Sequence, residues 1–147
     1  MTPMNRRVVW AEDDSADRVL FRRAMSQANV TMDTHFVGDG MELIQYLTNE
    51  GDYTDREQAP RPDLILLDLN MPGVDGRKVL QFLSSDHDLR RIPVVVVSTS
   101  NEPSEIVNSY DLGANSYITK PRTFDDLVKA VRLIEDYWTD VCQVPAA

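Results

Sequence analysis

Two runs of the chain, Leu64-Ile65-Leu66-Leu67 and Val94-Val95-Val96-Val97, are apolar at every position. Successive side chains of a strand point to opposite faces, so a strand with one wet face alternates, and a strand without alternation must be covered on both. Parallel strands with helices on either side satisfy that demand. Three shorter β-rich runs, Val8-Val9-Trp10-Ala11, His35-Phe36-Val37 and Tyr117-Ile118, bring the set to five. Between them helical spacing recurs, as Leu20, Phe21, Ala24 and Ala28 within 14–29 and as Leu43, Ile44 and Leu47 within 41–49. Shorter candidates cover 77–84 and 103–112, and the longest covers 123–141, where Thr123 with Asp126 three residues later resembles a capping box. Five βα units in succession predict right-handed crossovers and a three-layer α/β sandwich.

At 147 residues the chain is expected to form one domain over 1–147, with a core over about 6–141 and no attached output domain. Its 15 Lys+Arg against 24 Asp+Glu give a net charge of −9, which opposes attraction to nucleic-acid phosphates and anionic lipid. Neither nucleic acid nor membrane is expected as a partner. The single cysteine, Cys142, excludes an internal disulfide. Neither a signal-peptide core nor a spanning apolar stretch is visible, so a cytoplasmic location is expected. The polar segment 49–62, with Gly51, Pro60 and Pro62, exceeds ordinary connections and reads as a surface insertion in preference to a binding loop.

In an open parallel sheet, ligands sit beyond the carboxyl ends of the strands. Those ends carry Glu12, Asp13 and Asp14 after the first strand, Asp68 after the third, Ser98 after the fourth, and Lys120-Pro121 after the fifth. Asp14 or Ser15 also suits the N-cap of the first helix. Two carboxylates about 4 Å apart repel by about 4 kcal/mol at an effective dielectric near 20, so a gathering of acids calls for a cation. Mg²⁺, a hard ion that takes carboxylate oxygens, water and phosphate, fits such a rim, and Lys120 could sense an anion held beside it. His35 and His87 stand alone, without a second ligand at metal spacing, and are assigned structural or surface roles. The scattered methionines are assigned to packing.

These residues resemble the response-regulator receiver domains of two-component signalling. The resemblance rests on Glu12-Asp13, on the run from Asp63 through Asp68-Leu69-Asn70-Met71-Pro72-Gly73 to Gly76, on Pro93 to Ser98, and on Tyr117-Ile118-Thr119-Lys120-Pro121. It implies a flavodoxin-like (βα)5 doubly wound parallel sheet with strand order 2-1-3-4-5. It also implies that Asp68 accepts a phosphoryl group from a histidine kinase. Asp13, Asp68 and the Asn70 backbone carbonyl would hold Mg²⁺, with Glu12 acting largely through water. Lys120 would pair with the phosphoryl group and Ser98 would hydrogen-bond it, the family's spacing to the lysine selecting Ser98 over Thr99. Tyr117 would be the switch aromatic, rotating inward as Ser98 moves. An aspartyl phosphate needs a metal, a lysine and a hydroxyl around its oxygens, and these residue types are present.

The resemblance makes the chain a phosphoacceptor and not an enzyme, apart from weak self-dephosphorylation. A phosphate sink or phosphorelay intermediate is the alternative. A haloacid-dehalogenase-type phosphatase is disfavoured, because its nucleophile ends the first strand whereas Asp68 follows the third. A receiver-like module that is never phosphorylated would have lost Asp68, an acid or Lys120. Glu12 to Asp17, the long loop and Ser98-Thr99-Ser100 most resemble single-domain receivers paired with bacterial phytochrome kinases, signalling onward through an unidentified downstream protein. The last helix offers Phe124, Leu127, Val128, Val131, Ile134, Trp138 and Val141 to the sheet. A second stripe of Ala130, Leu133 and Tyr137 predicts a homodimer through the fourth helix, fifth strand and fifth helix.

Overall fold

The computed structural model describes residues 6–145. Strand β1 (Arg7–Ala11) lies between β2 (Asp33–Val37) and β3 (Leu64–Leu67), with β4 (Val94–Ser98) and β5 (Ser116–Thr119) following outward. All four pairings are parallel, giving the order β2-β1-β3-β4-β5. The expected flavodoxin-like order is therefore the observed one.

The two faces of the sheet carry separate cores. Val9, Ala11, Ile65, Leu67, Val94 and Val96 pack under α2 (Gly40–Thr48) and α3 (Gly76–Ser85), with Leu43, Tyr46, Val79 and Leu83 as their partners. Val8, Trp10, Leu64, Leu66, Val95 and Val97 pack under α1 (Ser15–Gln27) and α5 (Phe124–Glu135), against Phe21, Ala24, Leu127 and Val131. This two-sided burial is why β3 and β4 show no alternation. Truncating one of these buried leucines to alanine, Leu66→Ala for example, is expected to cost about 3 kcal/mol. Helix α4 (Pro103–Asp111) is different, since only Ser109 among its residues is buried. Few buried apolar contacts place such a helix at the low end of local stability.

The helical stripes need four corrections. Leu20 is exposed, and α1 holds the core through Phe21 and Ala24. Tyr46, outside the expected stripe, is fully buried on α2, while Met41, assigned to packing with the other methionines, is exposed. Phe124, at the first turn of α5, faces solvent. The last helix is also shorter than expected, because α-helical geometry ends at Glu135 and gives way to a π-helical segment, Asp136–Val141. The wider turn carries Val141 off the buried face, leaving it exposed. Its start is as expected, Thr123 Oγ1 accepting from the Asp126 N–H at 3.1 Å.

The segment 49–62 folds back on the protein. Asn49 ends α2 in the left-handed region, φ 55°, and its Nδ2 donates to the carbonyls of Tyr53 and Ala59, both at 3.1 Å. A 3₁₀ turn over Gly51–Tyr53 sets the Tyr53 ring edge-on against Tyr46 and His35. His35 Nε2 lies 3.0 Å from the Tyr53 hydroxyl, which donates to Glu42. Burial first, then the nearby Arg7 charge, holds the His35 imidazole below its ordinary pKa. His35 thus has a packing role, and His87 is exposed. Among the described residues no helix is long and apolar enough to cross a membrane.

Candidate functional site

The carboxyl ends of β1, β3 and β5 meet at one rim. Glu12 continues β1, donating its N–H to the Val37 carbonyl at 2.9 Å, and Asp68 continues β3, donating its N–H to the Ala11 carbonyl at 3.1 Å. These backbone bonds seat the two carboxylates side by side, and both residues are buried. Asp13 stands beside them, exposed. One carboxylate oxygen from each of Glu12, Asp13 and Asp68 lies within 4.8 Å of the others. Asp14 serves the helix instead, capping α1 through Oδ1 to the N–H groups of Ala16 at 2.8 Å and Asp17 at 3.2 Å. The expectation that Asp14 or Ser15 would cap α1 resolves to Asp14.

Lys120 is the counterweight. Its N–H donates to the Ser98 carbonyl at 2.6 Å, tying the exit of β5 to the end of β4. Its Nζ donates to Glu12 Oε1 at 2.6 Å, Asp68 Oδ2 at 3.2 Å and Asp17 Oδ2 at 3.3 Å. Burial opposes its charge, but the bond to Glu12 and the charge of Asp68 prevail and raise its pKa, so it is an ammonium throughout the physiological range. Burial pushes the Glu12 carboxyl up to about 7, against the pull of Lys120. Asp17 received no role from the sequence. It stands in the first turn of α1, three residues beyond its cap, and that position was the available signal.

The turn after Asp68 is held by a glycine. A Cβ on Gly76 would stand 2.6 Å from Leu69 Cα and 2.8 Å from the Asp68 carbonyl oxygen, so α3 begins against the backbone of that turn. Asp68 Oδ1 accepts from the Asn70 N–H at 3.0 Å. Glu12, Asp13, Asp68, Asn70 and Lys120 line a cleft of about 230 Å³, together with Asp17 and Thr99. Ser98 is fully buried, its Oγ accepting from the Ser100 N–H at 3.2 Å, and Thr99 lines the cleft in its place. Tyr117 is half-buried against the α2–α3 core and donates its hydroxyl to the Ser100 carbonyl at 2.7 Å. The acids, the lysine and the Asn70 backbone are therefore brought together, while Ser98 and Tyr117 meet next door at Ser100.

Three hard oxygen donors within reach of one another suit a small divalent cation, and Asn70 lines the same cleft. Such an ion would take over part of the charge compensation that, among the described residues, Lys120 supplies. A carboxylate beside it, with an ammonium on one oxygen, is an arrangement for receiving a phosphoryl group.

Comparison with known proteins agrees. Residues 8–132 match the family model of the response regulator receiver domain. The chain is 39% identical over 140 residues to response regulator Rcp1 of Synechocystis, covering 95% of this chain and 93% of that one. Its fold is similar to that of Rcp1 in the Mn²⁺-bound form, at a TM-score of 0.84, 38% identity, and 96% and 99% of the two chains. The phosphorylated cyanobacterial phytochrome response regulator RcpA superposes at a TM-score of 0.88 with 43% identity, over 97% and 100% of the two chains. Response regulator RPA3017 of R. palustris, described in red light signaling, superposes at 0.92 with 34% identity, over 99% and 100%. Matched by that family model over residues 8–132 and similar to these regulators over nearly its whole length, this chain belongs to the response regulator receiver domains.

Proposed function

We infer that the protein is a response regulator of phytochrome-type signalling, in which Asp68 accepts a phosphoryl group from a histidine kinase in a Mg²⁺-dependent reaction. The observation that carries this reading is the placement of buried Asp68 within 3.2 Å of the Lys120 ammonium and beside the carboxylates of Glu12 and Asp13. The similarity to Rcp1, RcpA and RPA3017 over nearly their whole lengths supports the phytochrome assignment.

In the transfer, an Asp68 carboxylate oxygen attacks phosphorus as the P–N bond to the kinase histidine breaks, and the leaving imidazole takes up a proton. Mg²⁺ held by Asp13, Asp68 and the Asn70 carbonyl, with Glu12 behind it, would supply Lewis-acid neutralisation of the phosphoryl oxygens. Lys120 already reaches Asp68 and meets the added negative charge. The Ser98 hydroxyl is buried at the end of β4, where it accepts from the Ser100 N–H, and turning to a phosphoryl oxygen would shift the 98–100 backbone. That backbone carries the acceptor of the Tyr117 hydroxyl and leads into α4, so the movement passes to the weakly anchored α4 and to β5.

Helix α4 exposes Val107 and Tyr110, α5 exposes Leu133, and the π-helical segment after it exposes Tyr137. A homodimer through α4, β5 and α5, or a downstream protein, would cover them in the cytoplasm, and the chain acts there as a phosphoacceptor and not as an enzyme. Transfer from a purified, phosphorylated phytochrome histidine kinase tests the function. Rapid, Mg²⁺-dependent movement of label onto this chain supports it, and label that stays on every such kinase of the host contradicts the phytochrome assignment.

A further inference from the structure

The segment 49–62 builds one wall of a cleft of about 370 Å³, a volume typical of small-molecule sites. The cleft lies at the amino end of the sheet. Pro62 precedes β3 and Asp68 follows it, so the four residues of that strand, about 13 Å, separate the cleft from the phosphoacceptor end. Leu47, Pro60, Pro62 and Leu89 give it apolar sides.

Its charged groups are Arg56, Arg61 and Asp88. Arg61 is aimed by Asp88, which takes Nη1 on Oδ2 at 2.8 Å and Nη2 on its carbonyl at 3.2 Å, leaving further guanidinium N–H groups unused. Among the described residues Arg56 belongs to none of the ion pairs. Two guanidinium groups against one carboxylate leave the cleft cationic in a chain of net charge −9. The wall is also held in advance. Tyr46 donates its hydroxyl to the Pro60 carbonyl at 2.8 Å, and Asn49 bridges Tyr53 and Ala59. A fixed wall lowers the ordering cost of binding.

We propose that this cleft binds a small organic carboxylate with an apolar body, the carboxylate on Arg56 and the unused N–H groups of Arg61, and the body against Leu47, Pro60 and Leu89. Charge-assisted hydrogen bonds give the recognition and the apolar sides select against bare anions. The site is separate from the phosphoryl chemistry and does not depend on it.

The test is an amide-shift titration of the full ¹⁵N-labelled chain with benzoate, benzamide and inorganic phosphate. Benzoate is expected to give saturable shifts centred on Ala59, Arg61 and Leu89, with benzamide and phosphate each binding at least about tenfold more weakly. Arg56→Gln, at an exposed position without an ion-pair partner, should weaken benzoate about tenfold, the loss of one charge-assisted contact. Benzoate shifts that fail to saturate or lie elsewhere would overturn the proposal. So would benzamide or phosphate matching benzoate, or an Arg56→Gln protein that binds as the wild type does.

Discussion

The Lys120 ammonium bonds Glu12 at 2.6 Å, more closely than it bonds Asp68 at 3.2 Å. Its main partner is therefore the buried acid at the end of β1 and not Asp68. Three carboxylates share this cation, and a second cation beside them would relieve it.

Lys120→Ala leaves those carboxylates uncompensated. Breaking a buried ion network of this kind is expected to lower stability by about 3 kcal/mol in the presence of a chelator. Mg²⁺ should then restore more stability to the variant than it adds to the wild type, because it meets more unbalanced charge. Denaturant titrations with and without Mg²⁺ measure both gains, and equal gains would contradict the shared-cation arrangement.

Ser98 and Thr99 separate by function. Ser98→Ala should still be phosphorylated but should lose the change in amide exchange across α4, whereas Thr99→Ala should keep both. Exchange over residues 103–111, compared before and after phosphorylation, is the measurement. A Thr99→Ala protein that alone loses the response would move the switch hydroxyl to the residue that lines the cleft.

The pH dependence of stability should carry a His35 contribution. Its pKa in the fold lies below the ordinary 6.5, so between those values the unfolded chain holds a proton that the folded chain lacks. This contribution is fully present above pH 6.5 and is lost as the pH falls through the window beneath it. His35→Gln removes it, so the stability of wild type minus variant should decline as pH drops below 6.5. A flat difference would contradict the half-buried imidazole whose pKa burial lowers.

Leu133 on α5 and Tyr137 on the π-helical segment that follows it are exposed, as the second apolar stripe implied. Sedimentation should show a wild-type dimer and a monomeric Leu133→Glu, Tyr137→Glu protein. A wild type that is monomeric with and without phosphorylation would exclude the α4-β5-α5 dimer.

Much of this site could be read before folding because its key residues follow unbroken apolar runs. Asp68 behind Leu64 to Leu67 and Ser98 behind Val94 to Val97 are placed at the sheet rim by strand geometry alone. The strand order came from family resemblance and not from periodicity, which orders elements along the chain but not across a sheet. Asp17 escaped notice because its link to Lys120 depends on how α1 leans over the rim. Tyr46 and Tyr53 escaped because their contacts join β2, α2 and a loop. Val141 was misplaced since nothing in its spacing announces a π-helical turn.

The phosphoacceptor is tested most directly by intact-mass measurement after incubation with a small acyl phosphate and Mg²⁺. The wild-type chain should gain one phosphoryl group, and Asp68→Asn should gain none. An undiminished adduct on Asp68→Asn, or no adduct on the wild type under conditions that load an authentic receiver, would contradict Asp68 as the acceptor.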